Sequence, residues 1–237
     1  MSGLESLLDV QAHDTRADQL RHRLDHLPER DALAQRRAAL EAVVGSEVAA
    51  TEQRNGLIRE QKRLEDEIAA LDAKTVEVDR TLYSGAVNAP RELQALQDEL
   101  GALARRKGQL EDQELEIWER LEPVDAELAR LTGERASHET ALADIGAALA
   151  AAEQGAGDEL TEVVAARATA AEPVPADLLG TYEKLRRSLG GVGVARLTGT
   201  TCGGCHLGLS AVEVDRIRSE PPDSLVFCEE CSRILVH

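Results

Sequence analysis

LQALQDELGALARRKGQLEDQELEIWERLEPVDAELARLTGERASHETALADIGAAL, residues 93–149, repeats at alternating intervals of three and four. The series runs Leu93, Leu96, Leu100, Leu103, Lys107, Leu110, Glu114, Ile117, Leu121, Val124, Leu128, Leu131, Arg135, His138, Leu142, Ile145, Leu149 and on to Ala152 without a change of phase. One phase held over about eight heptads is the pattern of a coiled-coil helix. At about 1.5 Å per residue the helix spans roughly 90 Å. Pro123 lies inside it without shifting the apolar phase.

A matching stripe precedes it: Leu57, Gln61, Leu64, Ile68, Leu71, Thr75, Val78 and Leu82, looser upstream through Leu33, Leu40, Val44 and Val48. Between the two lies SGAVNAP, in which Gly85 and Asn88 suit a turn and Pro90 suits the first turn of a helix. Folding about that turn sets Leu71 against Leu103, Leu64 against Leu110 and Gln61 against Glu114, the last pair a polar register pin. In the same register Pro28 falls near Gly146, so both helices are expected to break at one level, and Gly155 and Gly157 are expected to interrupt the second helix. The apolar residues Leu4, Leu7, Val10, Ala17, Leu20, Leu24 and Leu27 then overhang and need a cover. Residues 160–171, the C-terminal module or another subunit could supply it.

Composition agrees. The chain of 237 residues has 30% charged and only 2% aromatic residues, with one Phe, one Trp and two Tyr. So few aromatics suit a narrow helical seam better than a broad core. The net charge is −17. Residues 181–237 hold seven basic and seven acidic residues, leaving 20 basic and 37 acidic in residues 1–180. An acidic hairpin repels phosphate backbones, so any nucleic-acid contact falls to the neutral C-terminal part. With neither a long apolar run nor a signal-like start, MSGLESLLDVQAHD, a cytoplasmic protein without membrane contact is expected.

All four cysteines lie near the C-terminus as Cys202-x-x-Cys205 and Cys228-x-x-Cys231, separated by 22 residues. Each CxxC forms a knuckle that aims two thiolates at one metal ion, and four thiolates form the preferred structural zinc site. Disulfides are disfavoured in a reducing compartment, and a redox CxxC lacks its βαβ context. Four sulfur ligands leave no open position, so the expected cofactor is one structural Zn2+ that folds the module. GVGVARLTG and SLVF read as strands, SAVEVDRIRS as a helix between the knuckles, and LLGTYEKLRRSL as a helix leading in. The fold class is mainly α, a long antiparallel coiled-coil hairpin with a small α+β zinc ribbon. Composition divides it at 1–175 and 176–237. Gly190, Gly191 and Gly193 suit a mobile joint.

TLYSGAVNAPRELQALQDEL, CGGCHLGLS and CEECSRILV together resemble the bacterial C4-type zinc ribbon family, formerly a domain of unknown function, over nearly the whole chain. The resemblance implies an adaptor, with links in some members to transcription factors or RNA. Ser232 stands where the family usually has Gly. It is expected to permit metal binding while tightening or distorting the second knuckle.

Other residues support sharper and blander readings. His206 follows Cys205 and could replace a ligand, though four spaced thiols suffice. Lys107, Glu114, Arg135 and His138 on the seam more often snorkel or set register than form a site. Trp118 suits a flank of the hairpin. The stretch at Gly190 lacks GxGxxG spacing. Tyr83, Asn88 and Arg91 at the tip could hold a partner, or serve the turn alone. Arg196, Arg216, Arg218 and Arg233 could form a basic face, in competition with pairing to Glu183, Glu213, Asp215 and Glu220. No catalytic constellation can be placed on a pocket. The expectation is a non-catalytic adaptor for protein partners, with the transcription machinery as one candidate source of them and no small-molecule substrate; the alternative is DNA or RNA binding through the ribbon.

Overall fold

The computed structural model describes residues 3–221 and 224–237. In order come α1 (Gly3–Asp25), α2 (Pro28–Tyr83), α3 (Pro90–Ala171), α4 (Ala176–Ser188), β1 (Val194–Thr198), β2 (Thr201–Cys202), α5 (Ala211–Ser219), β3 (Val226–Phe227) and β4 (Ile234–Val236). Contacts divide the chain into two compact units, Leu33–Asp144 and the combination of Met1–Ala32 with Ile145–His237. This partition follows packing, whereas the division at residue 175 follows composition along the chain.

The Leu33–Asp144 unit is an antiparallel helical hairpin. Leu57 and Leu64 of α2 bury against Leu110, Ile117, Leu121 and Val124 of α3, with Ile68, Leu71 and Leu128 half-buried beside them. Ion pairs fix the direction: Lys74–Glu99 at 2.7 Å, Asp72–Lys107 at 2.6 Å, Arg54–Asp125 at 2.5 Å and Glu47–Arg135 at 3.0 Å pair rising with falling numbers. Each contributes little on a solvated face, but together they penalise slipped registers. Lys107, Arg135 and His138 do snorkel from the seam, His138 accepting from Arg36 at 3.3 Å. Gln61 does not pin the register. Its amide donates to Glu65 one turn along α2 at 3.0 Å, a local partner needing no second helix.

At the tip Gly85 takes φ +73°, the left-handed region a side chain disfavours. Ser84 accepts from the Ala86 N–H at 3.2 Å, Asn88 donates to the Gly85 carbonyl at 3.3 Å, and Pro90 opens α3.

In the other unit the chain breaks between α1 and α2 at His26 and Leu27, because a residue before proline avoids helical geometry. The expected matching break at Gly146 is absent, and α3 also runs through Gly155 and Gly157 to Ala171. A helical glycine costs only about 1 kcal/mol, which packing can outweigh. Here α1 supplies contacts along that stretch, with Arg16 paired to Glu159 and Arg167 to Asp14.

The sheet has the order β2-β1-β4-β3. Its middle strands, β1 and β4, are parallel, with Val194 opposite Ile234 and Arg196 opposite Val236, while β2 and β3 flank them antiparallel. Alternation gives the sheet two buried faces. Val194, Ile234 and Val236 join Leu4, Leu7 and Val10 of α1, Tyr182 of α4 and Val174 in one cluster. Ala195 and Leu235 point the other way, to Val214 and Ile217 of α5 and the cysteines. The overhanging stripe of α1 is therefore covered within the chain.

A buried polar cluster sets the position of α1. Fully buried Tyr182 donates its hydroxyl to Asp14 at 2.7 Å. Burial, then that bond, raises the phenol's pKa well above its ordinary value and keeps it a donor. Arg167 and Arg186 neutralise Asp14 from 3.2 and 3.6 Å. Next to it, Gln11 accepts from the Gly193 N–H at 2.7 Å and donates to the Gly191 carbonyl at 2.9 Å. Arg233 donates to the carbonyls of Val192 and Leu189 at 2.9 and 3.0 Å. The glycine stretch is thus a clamped turn, not a mobile joint. A Cβ on Gly193 would come within 2.8 Å of the Tyr182 ring.

Tyr182→Phe should cost about 1–2 kcal/mol of stability, and Gly193→Ala about 1–3 kcal/mol through overpacking. Urea unfolding followed by far-UV circular dichroism measures both. Wild-type midpoints for the two variants would show that this cluster does not hold α1.

Candidate metal centre

The centre is built from two knuckles of the same backbone design. In the first, the His206 N–H donates to the Cys202 carbonyl at 2.8 Å and the Cys202 N–H to the Leu207 carbonyl at 3.0 Å. In the second, the Ser232 N–H donates to the Cys228 carbonyl at 2.8 Å and the Cys228 N–H to the Arg233 carbonyl at 2.9 Å. Each chain reverses through a left-handed residue directly after the second cysteine, His206 and Ser232, both at φ 61°. The exposed His206 therefore shapes the turn, and the metal-donor group contains only cysteines.

The four sulfurs of Cys202, Cys205, Cys228 and Cys231 lie within 4.8 Å of one another, with Cys202 and Cys231 at 3.9 Å. Sulfurs about 2.3 Å from a tetrahedral zinc stand about 3.8 Å apart, so the donor set fits one structural Zn2+. Cys202 and Cys228 are buried, Cys205 and Cys231 half-buried. The Gly204 N–H donates to the Cys202 sulfur at 3.4 Å, a bond that stabilises negative charge on the thiolate.

Close approach explains the two glycines between the first cysteines. A Cβ on Gly203 would meet the Arg196 carbonyl at 2.9 Å, and one on Gly204 the Arg233 side chain at 2.5 Å. The knuckle thus lies flat on β1.

Burial pushes the Cys228 thiol up to about 12. At Cys231 burial is outweighed by the Arg233 N–H and side chain and by the neighbouring thiols, which bring it down to about 7. Zinc holds all four as thiolates, so binding releases protons and weakens as pH falls.

The structure places the other candidate residues at separate points. Tyr83, Asn88 and Arg91 are exposed around the hairpin turn, Tyr83 at 79%. Arg196 pairs with Glu5 at 2.6 Å, Arg216 with Glu213 at 2.5 Å, and Arg218 donates to the Gly199 carbonyl at 2.9 Å. Arg233 is turned inward onto the clamped glycine turn. Each of the four arginines is therefore engaged by a group of its own chain. Gln11 carries no sequence signal for its role, and the one signal for the left-handed His206 is its position directly after a CxxC pair, which Ser232 shares.

Comparison with known proteins agrees with this geometry. The model of the CT398-like coiled coil hairpin domain matches residues 10–190, and that of the C4-type zinc ribbon domain matches residues 201–235. An uncharacterized protein of Mycobacterium tuberculosis (strain H37Rv) is 32% identical over 242 residues, covering 98% of this chain and 94% of the relative. One from Mycobacterium leprae is 28% identical over 238 residues, covering 93% and 94%. A solved structure from Mycobacterium smegmatis superposes with a TM-score of 0.83 at 26% identity, covering 100% of both chains. CT398 from Chlamydia trachomatis superposes with a TM-score of 0.65 at 23% identity, covering 99% of this chain and 97% of its own.

Elemental analysis of purified protein should find about one zinc per chain, lost in Cys202→Ser and progressively released on acidification. Wild type that folds its C-terminus without metal would contradict the assignment. Ser232→Gly should relieve the left-handed turn and stabilise the holo ribbon by about 0.5–1 kcal/mol. Thermal unfolding of the zinc-loaded variant checks that value.

Proposed function

The chain belongs to the CT398-like coiled coil hairpin family and carries a C4-type zinc ribbon, and from that premise we propose that it is a non-catalytic adaptor for protein partners. Zinc binding and a structural role for the metal follow from the ribbon and its closed donor set. The adaptor reading rests on what is exposed. The tip presents Tyr83 at 79% exposure, and the ribbon presents Val212 at 80% on α5 and Leu207 at 51% after the first knuckle. An exposed tyrosine beside a turn and exposed aliphatic side chains on the ribbon offer a partner apolar anchors.

The observation that carries the choice of protein over nucleic acid is the engagement of the ribbon arginines. Arg196, Arg216, Arg218 and Arg233 each bond to a carboxylate or carbonyl of their own chain. Phosphate binding needs cations that converge and stay available. DNA or RNA binding through the ribbon is accordingly the second reading, and components of the transcription machinery are one partner class to look for. The cytoplasm is the compartment that keeps four thiols reduced for a metal.

Affinity capture from lysate, with and without nuclease, tests the choice when wild type is run beside Cys228→Ser. The adaptor reading expects specific proteins that survive nuclease and are lost with the variant. Enrichment abolished by nuclease would favour the nucleic-acid reading instead.

A further inference from the structure

The helical hairpin carries a second surface, away from its turn. Trp118, the only Trp in the chain, is 56% exposed on α3, and Leu115, one turn before it, is 60% exposed. Residues three apart on a helix share a face. Ile58 of α2, at 37% exposure, lines a groove of about 720 Å³ with Trp118, Gln61, Glu122, Arg54 and Asp125. The seam beneath is filled by Leu57, Leu64, Ile117 and Leu121, so this apolar surface is additional to the coiled-coil core.

Charge states what fits there. From Glu111 to Glu127 eight residues are acidic and one, Arg120, is basic. Asp125 is paired with Arg54, and Arg120 lies 3.9 Å from Glu60. Among the described residues Glu114, Glu116, Glu119 and Glu122 form no ion pair, although ion pairs lace the hairpin elsewhere. An indole that shares its groove with the carboxylates of Glu119 and Glu122 attracts a cation twice, through the ring quadrupole and through Coulomb attraction. A second copy of this chain would bring the same negative face and be repelled. Nucleic acid is repelled for the same reason.

We propose that the Trp118 groove is a docking site for a basic amphipathic helix of a protein partner. Its apolar residues would cover Trp118, Leu115 and Ile58, and its Lys or Arg residues would meet Glu119 and Glu122. This rests on the adaptor reading and assigns a partner chemistry to the hairpin, independently of the zinc ribbon. Helix-in-groove recognition of this kind derives affinity from apolar anchors and selectivity from the surrounding charge.

Trp118 is its own reporter. The full-length zinc-loaded protein is titrated with a fluorescent Leu/Lys amphipathic helical peptide of about five turns. Controls are a scrambled peptide of equal charge and composition and a Leu/Glu counterpart. The expected result is a blue shift of Trp118 emission with the amphipathic basic peptide alone. Peptide anisotropy should show affinity falling on the order of tenfold in Trp118→Ala, severalfold in Glu119→Gln/Glu122→Gln, and severalfold at high salt. Cys228→Ser should bind as wild type does.

Equal binding of the scrambled peptide would reduce the effect to bulk charge and overturn the site. So would an unshifted Trp118, wild-type affinity in Trp118→Ala, or concentration-dependent self-association that buries the indole. Both variants change exposed side chains, and their helicity is checked by circular dichroism. Failure of the basic peptide on these controls, while Cys228→Ser still loses its lysate partners, would sink the groove and leave the adaptor reading standing.

Discussion

The parallel pairing of β1 with β4 imposes the constraint on which the zinc-bearing unit depends. A short sheet buried on both faces needs two covers, and this chain supplies them from its opposite ends. On one face Ala195 and Leu235 meet α5 and the thiolates. On the other, Val194, Ile234 and Val236 meet α1 and α4. Zinc closes the first core by joining two knuckles that short strands alone could not hold. The second core has no metal and relies on Leu4, Leu7, Val10 and Tyr182, all nearly inaccessible. Loss of either cover would leave an apolar strand pair in water.

Polar groups then make that arrangement unique. An apolar contact between α1 and the sheet tolerates sliding, whereas Asp14 and Gln11 do not. Asp14 is satisfied only where Tyr182, Arg167 and Arg186 converge, and Gln11 only where both glycine peptides reach it. A misplaced Asp14 would be a buried charge without partners, a penalty of several kcal/mol. The hairpin uses a cheaper device. Its ion pairs are solvated and individually weak, and it is their number along both helices that disfavours slipped registers.

The heptads, the turn around Gly85, α5 and the four metal ligands were legible in the sequence because each depends on local periodicity or fixed spacing. Residues whose role is set from far along the chain were not. Arg233 looks like a surface cation until β4 is placed beside β1, whereupon it caps carbonyls some 40 positions earlier. The strand Ile234–Val236 is only three residues long and has no period to read. Gly155 and Gly157 looked like breaks because propensity was visible and the packing of α1 was not. Gln61 seemed a register pin because its heptad position was visible, while the competing Glu65 lay one turn away on the same helix.

The division of labour that emerges is a metal that folds the ribbon, an N-terminal helix that completes it, and a hairpin stabilised separately by its own seam. The most direct test of that account is hydrogen exchange before and after zinc chelation, read by mass spectrometry segment by segment. Chelation is predicted to deprotect β1, β4, the knuckles and α1 from Leu4 to Leu20 together, while α2 and α3 between Leu57 and Val124 keep their protection. Unchanged protection of α1 after the ribbon has lost its own would contradict the claim that the helix and the zinc-held sheet form one cooperative unit.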